Sequence, residues 1–296
     1  MRLTLSALLL VVPLSFSAAD VSKVVADADA MHNQGAYAEA VKLLLDSIPS
    51  ASGDREQAEL YWRAARETLE LGDLAEKAGK PQADVLAVFT EGQGYAEKAI
   101  ASDPQNDLGY YWKSANIGRW GQVKGVLNAL SMSGPMRDLL VKELSLNPDR
   151  TDAYYVLGEL YRELPGWPVS FGNVDAAVSL GRKAVEARQA QVENGVEKEL
   201  VYNFYTELAK TLHKRNWSAA TRAAEQKNKA SKLASAATPL DRGSLYEATI
   251  SLQDVSDRVE ARALVQWVVG ELQKVPFITA PQKKDLQKAK DALKGW

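Results

Sequence analysis

The stretch from Ala153 to Ala184 constrains the fold of this chain more than any other segment. It consists of two helical halves joined by an apolar loop, Leu164–Gly172, and the first half places small and aromatic residues on one face. In the second half, Ala177 and Gly181 are small enough to let the second helix lie close to the first. Because an isolated helix pair cannot bury such a face, the pattern predicts neighbouring pairs stacked on both sides.

Most other segments also have the pattern of helices, and helix-favouring Ala, Leu, Glu and Lys are abundant among the 296 residues. Aromatic residues recur at what we expect to be the openings of successive first helices, at intervals of roughly 43 to 50 residues, longer than the ~34 of a regular helical repeat; they are Tyr61, Tyr111, Tyr154, Tyr202 and Tyr246. We therefore predict an all-α fold, an α-solenoid superhelix of antiparallel helix pairs. The exact register of the repeats stays open.

Several helix boundaries follow from local signals. A helix from Arg55 to Leu71 is predicted to end at Gly72, and a second helix to cover Gln82–Ser102 before Pro104 reverses the chain. Residues 281–296 form a lysine-rich tail whose apolar positions share one face, which predicts a C-terminal capping helix with a polar outer side.

The first 19 residues have the pattern of a signal peptide. A positive start at Arg2 precedes an almost wholly apolar run from Leu3 to Phe16, and the small residues that follow place the cleavage near Ala19. The remainder, residues 20–296, is then one helical repeat domain. The chain contains no cysteine, so neither a disulfide framework nor a lipid-anchor cysteine is available. We expect a periplasmic protein without stable membrane insertion; an uncleaved membrane anchor is the alternative.

The residues for common reaction chemistry are missing from the sequence. His32 and His213 are the only histidines and have no acidic partner at metal-binding spacing, and no nucleophile, phosphate-loop or dinucleotide pattern occurs. Glu159 and Glu163 lie four residues apart on a predicted helix, where we expect them to be solvated; a hydrolase with paired carboxylates is the enzymatic alternative. With a net charge of -2, nucleic acid is not an expected partner. We expect no enzyme, no cofactor and no metal.

Two aromatic regions are candidates for binding. The loop Leu164–Gly172 is too long and apolar to be left in water, so it must pack on something. It is either a lid folded on its own helix pair or a binding element in which Trp167 and Phe171 contact a ligand or partner.

The second candidate region lies on one predicted helix. There Tyr111, Trp112 and Trp120 provide aromatic walls beside the polar groups of Asn116 and Arg119. This composition is typical of a binding cleft, but it is equally typical of a packed core with one buried polar tie.

Three segments, Gly35–Ala40, Tyr95–Pro104 and Ala153–Ala184, resemble tetratricopeptide repeats. The larger plan, including Phe171–Gly172 before a second helix, is similar to the T component of TRAP transporters and more loosely to the regulator-of-microtubule-dynamics family. The T-component resemblance implies a periplasmic helper that can oligomerise and that meets a solute-binding protein.

From these observations we expect a non-catalytic periplasmic scaffold or adaptor that binds a protein or peptide partner. The alternative is a T-component-like accessory protein that holds a small apolar or organic-acid ligand near Trp112, Trp120 and Trp167. The sequence names neither the partner nor the ligand.

Overall fold

A computed structural model describes residues 21–296, and this part of the chain consists of helices and connections without a β-strand. The predicted signal peptide, residues 1–19, lies outside it. Two short 3₁₀ turns cover Ile48–Ser50 and Tyr246–Thr249. The helices are α1 (Val21–Gln34), α2 (Tyr37–Ser47), α3 (Asp54–Lys77), α4 (Gln82–Ser102), α5 (Asp107–Lys124), α6 (Val126–Leu146), α7 (Thr151–Glu163), α8 (Val174–Glu193), α9 (Tyr202–Arg215), α10 (Ala219–Leu233), α11 (Pro239–Ser244), α12 (Asp257–Lys274) and α13 (Ala280–Lys294).

The first eight helices pack as four consecutive pairs, α1 with α2, α3 with α4, α5 with α6 and α7 with α8. Each pair also packs on the next, and first helices of neighbouring pairs touch directly, α3 with α5 and α7 with α9. The predicted all-α helical-repeat architecture is thereby confirmed. No helix among residues 21–296 is long and apolar enough to cross a membrane.

Local signals located some boundaries correctly and one wrongly. Helix α4 covers Gln82–Ser102, as predicted. Helix α3 does not end at Gly72 but continues to Lys77. At Gly72 a Cβ atom would lie 2.4 Å from the ring of Phe89, so this glycine is needed for close helix packing rather than for a helix end.

The pairing changes after α9. Its partner is α12, while α11 packs on α8 and α6, the second 3₁₀ turn packs on α8, and α10 packs on that turn. Tyr246, expected at the opening of a first helix, instead begins that 3₁₀ turn. The segment is held by a buried ion network of four basic and four acidic side chains: Arg182, Arg215, Arg222, Lys229, Asp175, Glu247, Asp257 and Glu260.

Helix α13 does more than cover the end of the last pair. Its fully buried Ala289, together with Leu286 and Leu293, packs on the main hydrophobic core, which extends from α6 to α9 and includes α12. It packs on α9 and α12 and also contacts α1 at the other end of the chain. The row of helix pairs therefore closes on itself through α13.

Candidate functional site

The first helices α1, α3, α5, α7 and α9 form one face of the molecule, which we call the first-helix face. Lys284 of α13 reaches α3, and Lys288 of the same helix reaches α9. Packed helices are roughly 8–10 Å apart, so α1 and α9 would be separated by about 32–40 Å in a flat row. Helix α13 has 15 residues and is therefore about 22 Å long, yet it packs on α9 and also contacts α1. The first-helix face is therefore curved towards α13, which lies across it.

On one side of α13, charged side chains link it to α3 and α5. The Lys284 ammonium donates to Glu70 Oε2 at 2.6 Å and lies 3.5 Å from Asp73 Oδ2. Arg119 of α5 donates to the same Asp73 at 2.7 Å and also pairs with Glu76. Burial, and next to it the Glu70 carboxylate, raises the pKa of Tyr37 to about 12. Three acids of α3 thus hold cations from two other helices.

On the other side, the contacts of α13 converge on Asn203 at the start of α9. The Asn203 backbone N–H donates to Asp285 Oδ2 at 3.2 Å, and Lys288 donates to its side-chain oxygen at 3.2 Å. The amide nitrogen of Asn203 donates to the Tyr155 hydroxyl at 2.7 Å. The Tyr155 ring is stacked on Phe204 with centroids 4.7 Å apart. These contacts hold Tyr155 of α7 against α9.

Two carboxyl groups beside these contacts have opposite pKa shifts. Burial, and then the neighbouring Glu207, raises the pKa of Glu159 to about 7, although 32% of the Glu159 side chain is exposed to solvent. Burial also acts to raise the pKa of Glu207, but Arg162 at 2.8 Å and Lys210 at 2.7 Å outweigh it and lower this pKa. Burial raises the pKa of Asp285 to about 6. The face therefore combines a fixed carboxylate with carboxyls that gain charge toward neutral pH.

Tyr111, the first of the predicted site residues, lies near this face. Its ring makes an edge contact with Trp112 at 4.8 Å and packs on the main core. Burial, followed by Asp152, Glu143 and Glu159, raises its pKa well above the ordinary value. Glu143 is fully buried, and neither carboxyl oxygen has a hydrogen-bond partner among residues 21–296. Burial accordingly raises its pKa as well.

The other predicted residues of α5 pack between α3 and α4. Trp112 and Trp120 lie against a small core of Leu69, Val85 and Phe89. The fully buried Asn116 donates from its amide nitrogen to the Ala65 carbonyl at 3.1 Å and to the Trp112 carbonyl at 2.9 Å. Asn116 is therefore a polar tie between α5 and α3. Of this group, Arg119 reaches the charged contacts of α13, through Asp73.

The loop Leu164–Gly172 lies apart from the α13 contacts. Its ends are joined by a hydrogen bond from the Gly172 N–H to the Pro165 carbonyl at 3.0 Å. The Phe171 ring packs on Tyr161 at 5.1 Å and lies beneath the Arg137 guanidinium at 4.7 Å. Trp167, which precedes a cis proline, is 90% exposed. The loop is thus anchored through Phe171 and presents Trp167 to solvent.

The structure consequently distributes the predicted site residues over three places. Tyr111 lies near the α7 side of the first-helix face, the Trp112–Trp120 group of α5 packs against α3 and α4, and Trp167 with Phe171 lies on the 164–172 loop. Sequence reasoning did not single out Glu70, Asp73 and Asn203, nor the lysines of α13 that join them. Glu159, expected to be solvated, is instead a half-buried group on this face. The one available signal was the Lys-x-x-x-Lys spacing of Lys284 and Lys288.

Neither histidine is part of a metal cluster. His32 Nδ1 lies 2.9 Å from the buried Glu67 carboxylate, and the His213 ring stacks on Trp296 at 4.6 Å. Between residues 21 and 296, no group of three or more His, Cys, Asp or Glu side chains is placed to hold a metal ion.

Comparison with known proteins adds a similarity over the first half of the chain. Residues 24–167 match the family described as Regulator of microtubule dynamics protein 1-3. Regulator of microtubule dynamics protein 1 of Bos taurus is 23% identical over 139 residues, which cover 47% of this chain and 41% of that protein. The matched part runs from α1 through α7 into the 164–172 loop, so it consists of helix pairs.

Proposed function

We propose that this protein is a non-catalytic helical-repeat adaptor whose first-helix face binds a helical segment of a partner protein. The observation that carries the proposal is α13, a helix held in the concave face by charged and polar side chains from α3 and α9. A face that accommodates one helix in this way has the shape and the polar groups to accommodate another.

The similarity to a regulator family supports the adaptor function, because the relative's name describes regulation and not a reaction. The tetratricopeptide-like character of the repeats and the likeness to TRAP T components are part of this proposal. A periplasmic solute-binding protein is the partner that the T-component likeness implies.

The test is a crosslinking pull-down from periplasmic extract with the purified chain. A Glu70→Gln, Asp73→Asn double variant lacks two carboxylates of the first-helix face, so we expect it to capture several-fold less partner than the unaltered chain. Asp138→Asn, an exposed change on α6, serves as the matched control and retains full capture. Absence of any captured protein at high input contradicts the adaptor function.

Periplasmic location is proposed from the signal-peptide pattern of residues 1–19. N-terminal sequencing of the chain from a periplasmic fraction is expected to begin at Asp20. Recovery of the chain with its first residues intact in the membrane fraction would instead indicate the uncleaved anchor.

A second candidate function, the accessory protein that holds a small apolar or organic-acid ligand, is favoured by the exposed Trp167 on its anchored loop. Such a ligand changes the tryptophan fluorescence of the chain and leaves a Trp167→Phe variant less responsive. A panel of organic acids and fatty acids without any effect on the fluorescence contradicts this function.

A further inference from the structure

We infer that α13 is an internal stand-in for a lysine-bearing amphipathic helix of the partner, which binds by displacing α13 from the first-helix face. This inference rests on the proposed adaptor function and adds to it the kind of partner and the way in which access is controlled. It is carried by how α13 is attached, by what the face offers, and by the local signals of the helix itself.

The attachment of α13 depends on few buried side chains. Ala289 is the one fully buried residue of this 15-residue helix, while Leu286, Ala292 and Leu293 are partly buried. Its polar contacts to α3 and α9 are those of Lys284, Asp285 and Lys288; a longer hydrogen bond joins Gln282 to Glu199, and Trp296, which follows the helix, stacks on His213 of α9. The Lys284 side chain is 43% exposed, and an ion pair at such a site contributes little net free energy, so an incoming helix with equivalent groups can replace it.

The helix also carries its own start signals. Thr279 and Gln282 form a reciprocal capping box, and a proline follows the cap. In the connection from α12, Phe277 is 93% exposed, whereas the next residue, Ile278, packs on the main core. The start of α13 is therefore specified by its own capping residues in addition to its contacts.

The face defines the chemistry of the helix that it fits. Lys284 and Lys288 are four residues apart, so both lie on the same side of α13, where Glu70, Asp73 and the Asn203 side-chain oxygen accept from them. Position 289 is fully enclosed, so only a small residue fits next to the second lysine. The partner helix accordingly has two lysines four residues apart, a small residue directly after the second, and leucines that match Leu286 and Leu293.

Tethering favours α13 over a free competitor. A helix joined by a short connection has an effective concentration in the millimolar range, which a separate peptide must overcome. Weakening the tethered helix should therefore increase the affinity for a peptide of the same sequence, and fastening it should abolish binding. This opposite response distinguishes displacement from binding at another surface.

The probe is a fluorescent synthetic peptide of residues 280–296, and binding is followed by anisotropy. The host is the full chain with Gly35→Cys and Ala280→Cys, because a Cβ atom at Gly35 would lie 3.4 Å from the Ala280 Cβ, close to disulfide spacing. The chain contains no other cysteine, so oxidation fastens the start of α13 to the α1–α2 turn. The reduced form of the same protein is the control, and it carries the same strain at the positive φ of residue 35.

We expect the reduced host to bind the peptide at least about tenfold more tightly than the oxidised host. A second host with Lys284→Ala and Lys288→Ala should bind it more tightly than the unaltered chain. A peptide with Lys284→Glu and Lys288→Glu should not bind, whereas a Lys294→Glu peptide should, because Lys294 pairs with Asp291 of its own helix. Circular dichroism establishes that each host is folded.

Equal binding by the oxidised and reduced hosts overturns the inference, as does absence of binding to a folded Lys284→Ala, Lys288→Ala host. The periplasmic pull-down with both redox forms separates the two proposals. Capture that is equal in both forms leaves the adaptor function standing and contradicts displacement. Peptide exchange without any captured protein supports displacement and contradicts the adaptor function.

Discussion

At the scale of single residues, the first-helix face is defined by groups whose charge depends on their neighbours. Glu159 of α7 and Glu207 of α9 interact with each other, with Arg162 of α7 and with Lys288 of α13. Arg162 and Lys210 keep Glu207 charged, whereas burial beside Glu207 favours the protonated form of Glu159. The two carboxyls therefore contribute to stability in opposite pH ranges.

We expect Glu159→Gln to stabilise the fold at pH 8 and to have little effect at pH 4.5. The pKa of Glu159 is about 7 in the folded state, above its ordinary value of 4.5. Between these two pH values the folded state binds more protons than the unfolded state, so the stability of the fold decreases as the pH rises from 4.5 to 7. Glutamine cannot ionise, so the variant does not lose this stability. Urea unfolding at several pH values gives the free energy of unfolding of the variant and of the unaltered chain. If the difference between the two proteins is the same at pH 4.5 and pH 8, the raised pKa is contradicted.

The close packing at Gly92 leads to a second prediction at the residue scale. A Cβ atom there would lie 2.1 Å from Oδ1 of Asn116, the buried tie to α3. Gly92→Ala should lower the free energy of unfolding by about 2 kcal/mol, because a fully packed site must be displaced. Gly94→Ala on the same helix, with nothing within 4 Å, should raise it by about 0.5–1 kcal/mol. Similar effects of both changes would disprove the close contact.

The two aromatic residues of the 164–172 loop should differ in their effects. Phe171 packs on Tyr161 and Arg137, so Phe171→Ala should cost about 1–2 kcal/mol of stability. Trp167 is 90% exposed, and its replacement by alanine should change stability by less than about 0.5 kcal/mol. Thermal unfolding measures both. A large loss for Trp167→Ala would show that the loop packs as a closed lid.

At the scale of elements, the segment from α10 to the second 3₁₀ turn depends on charge more than on apolar packing. Helix α10 buries only Arg222 and Lys229, both members of the buried ion network. Such pairs are costly to form, but removing one partner leaves the others charged and buried. The network therefore specifies where this segment lies.

We expect Glu247→Gln to lower the free energy of unfolding by about 3 kcal/mol. Glu247 pairs with Arg182 at 2.8 Å, Arg215 at 2.7 Å and Lys229 at 2.6 Å. Burial disfavours the charged form of Glu247, but the cations of Arg215, Lys229 and Arg182 outweigh burial and lower the Glu247 pKa. The free energy of unfolding that this carboxylate contributes is therefore present above pH 4.5 and lost in acid. Asp46→Asn, in an exposed pair with Lys42, should change stability by less than about 0.5 kcal/mol. A comparable loss for both variants would contradict the role of burial.

At the scale of the whole molecule, closure joins residues that are far apart in the chain. The ion pair between Glu70 and Lys284 spans 214 residues, and it connects α3 to a helix that packs on α9 and α12. A row of helix pairs that closes in this way limits access to its own concave face. Under the proposed displacement, access to this face depends on helices from both ends of residues 21–296 and not on one repeat.

Lys284→Ala should weaken this closure without unfolding the repeats. We expect faster amide hydrogen exchange in α13 and α1 and unchanged exchange in α7 and α8, because Lys284 contacts α3 and neither α7 nor α8. Lys283→Ala, an exposed neighbour on the same helix, serves as the control. Unchanged exchange in α13 would show that apolar contacts alone hold the helix in place.

The sequence by itself determined the all-α class, the stacking of helix pairs and boundaries such as those of α4, because periodicity and helix ends are set within a few residues. Only the tertiary structure decided that Gly72 lies inside a helix, that Tyr246 leaves the repeat pattern and that Lys284 meets Glu70. These features depend on which distant helices touch. The curvature of the face results from small rotations between successive helix pairs, and the spacing of side chains along one helix does not determine those rotations.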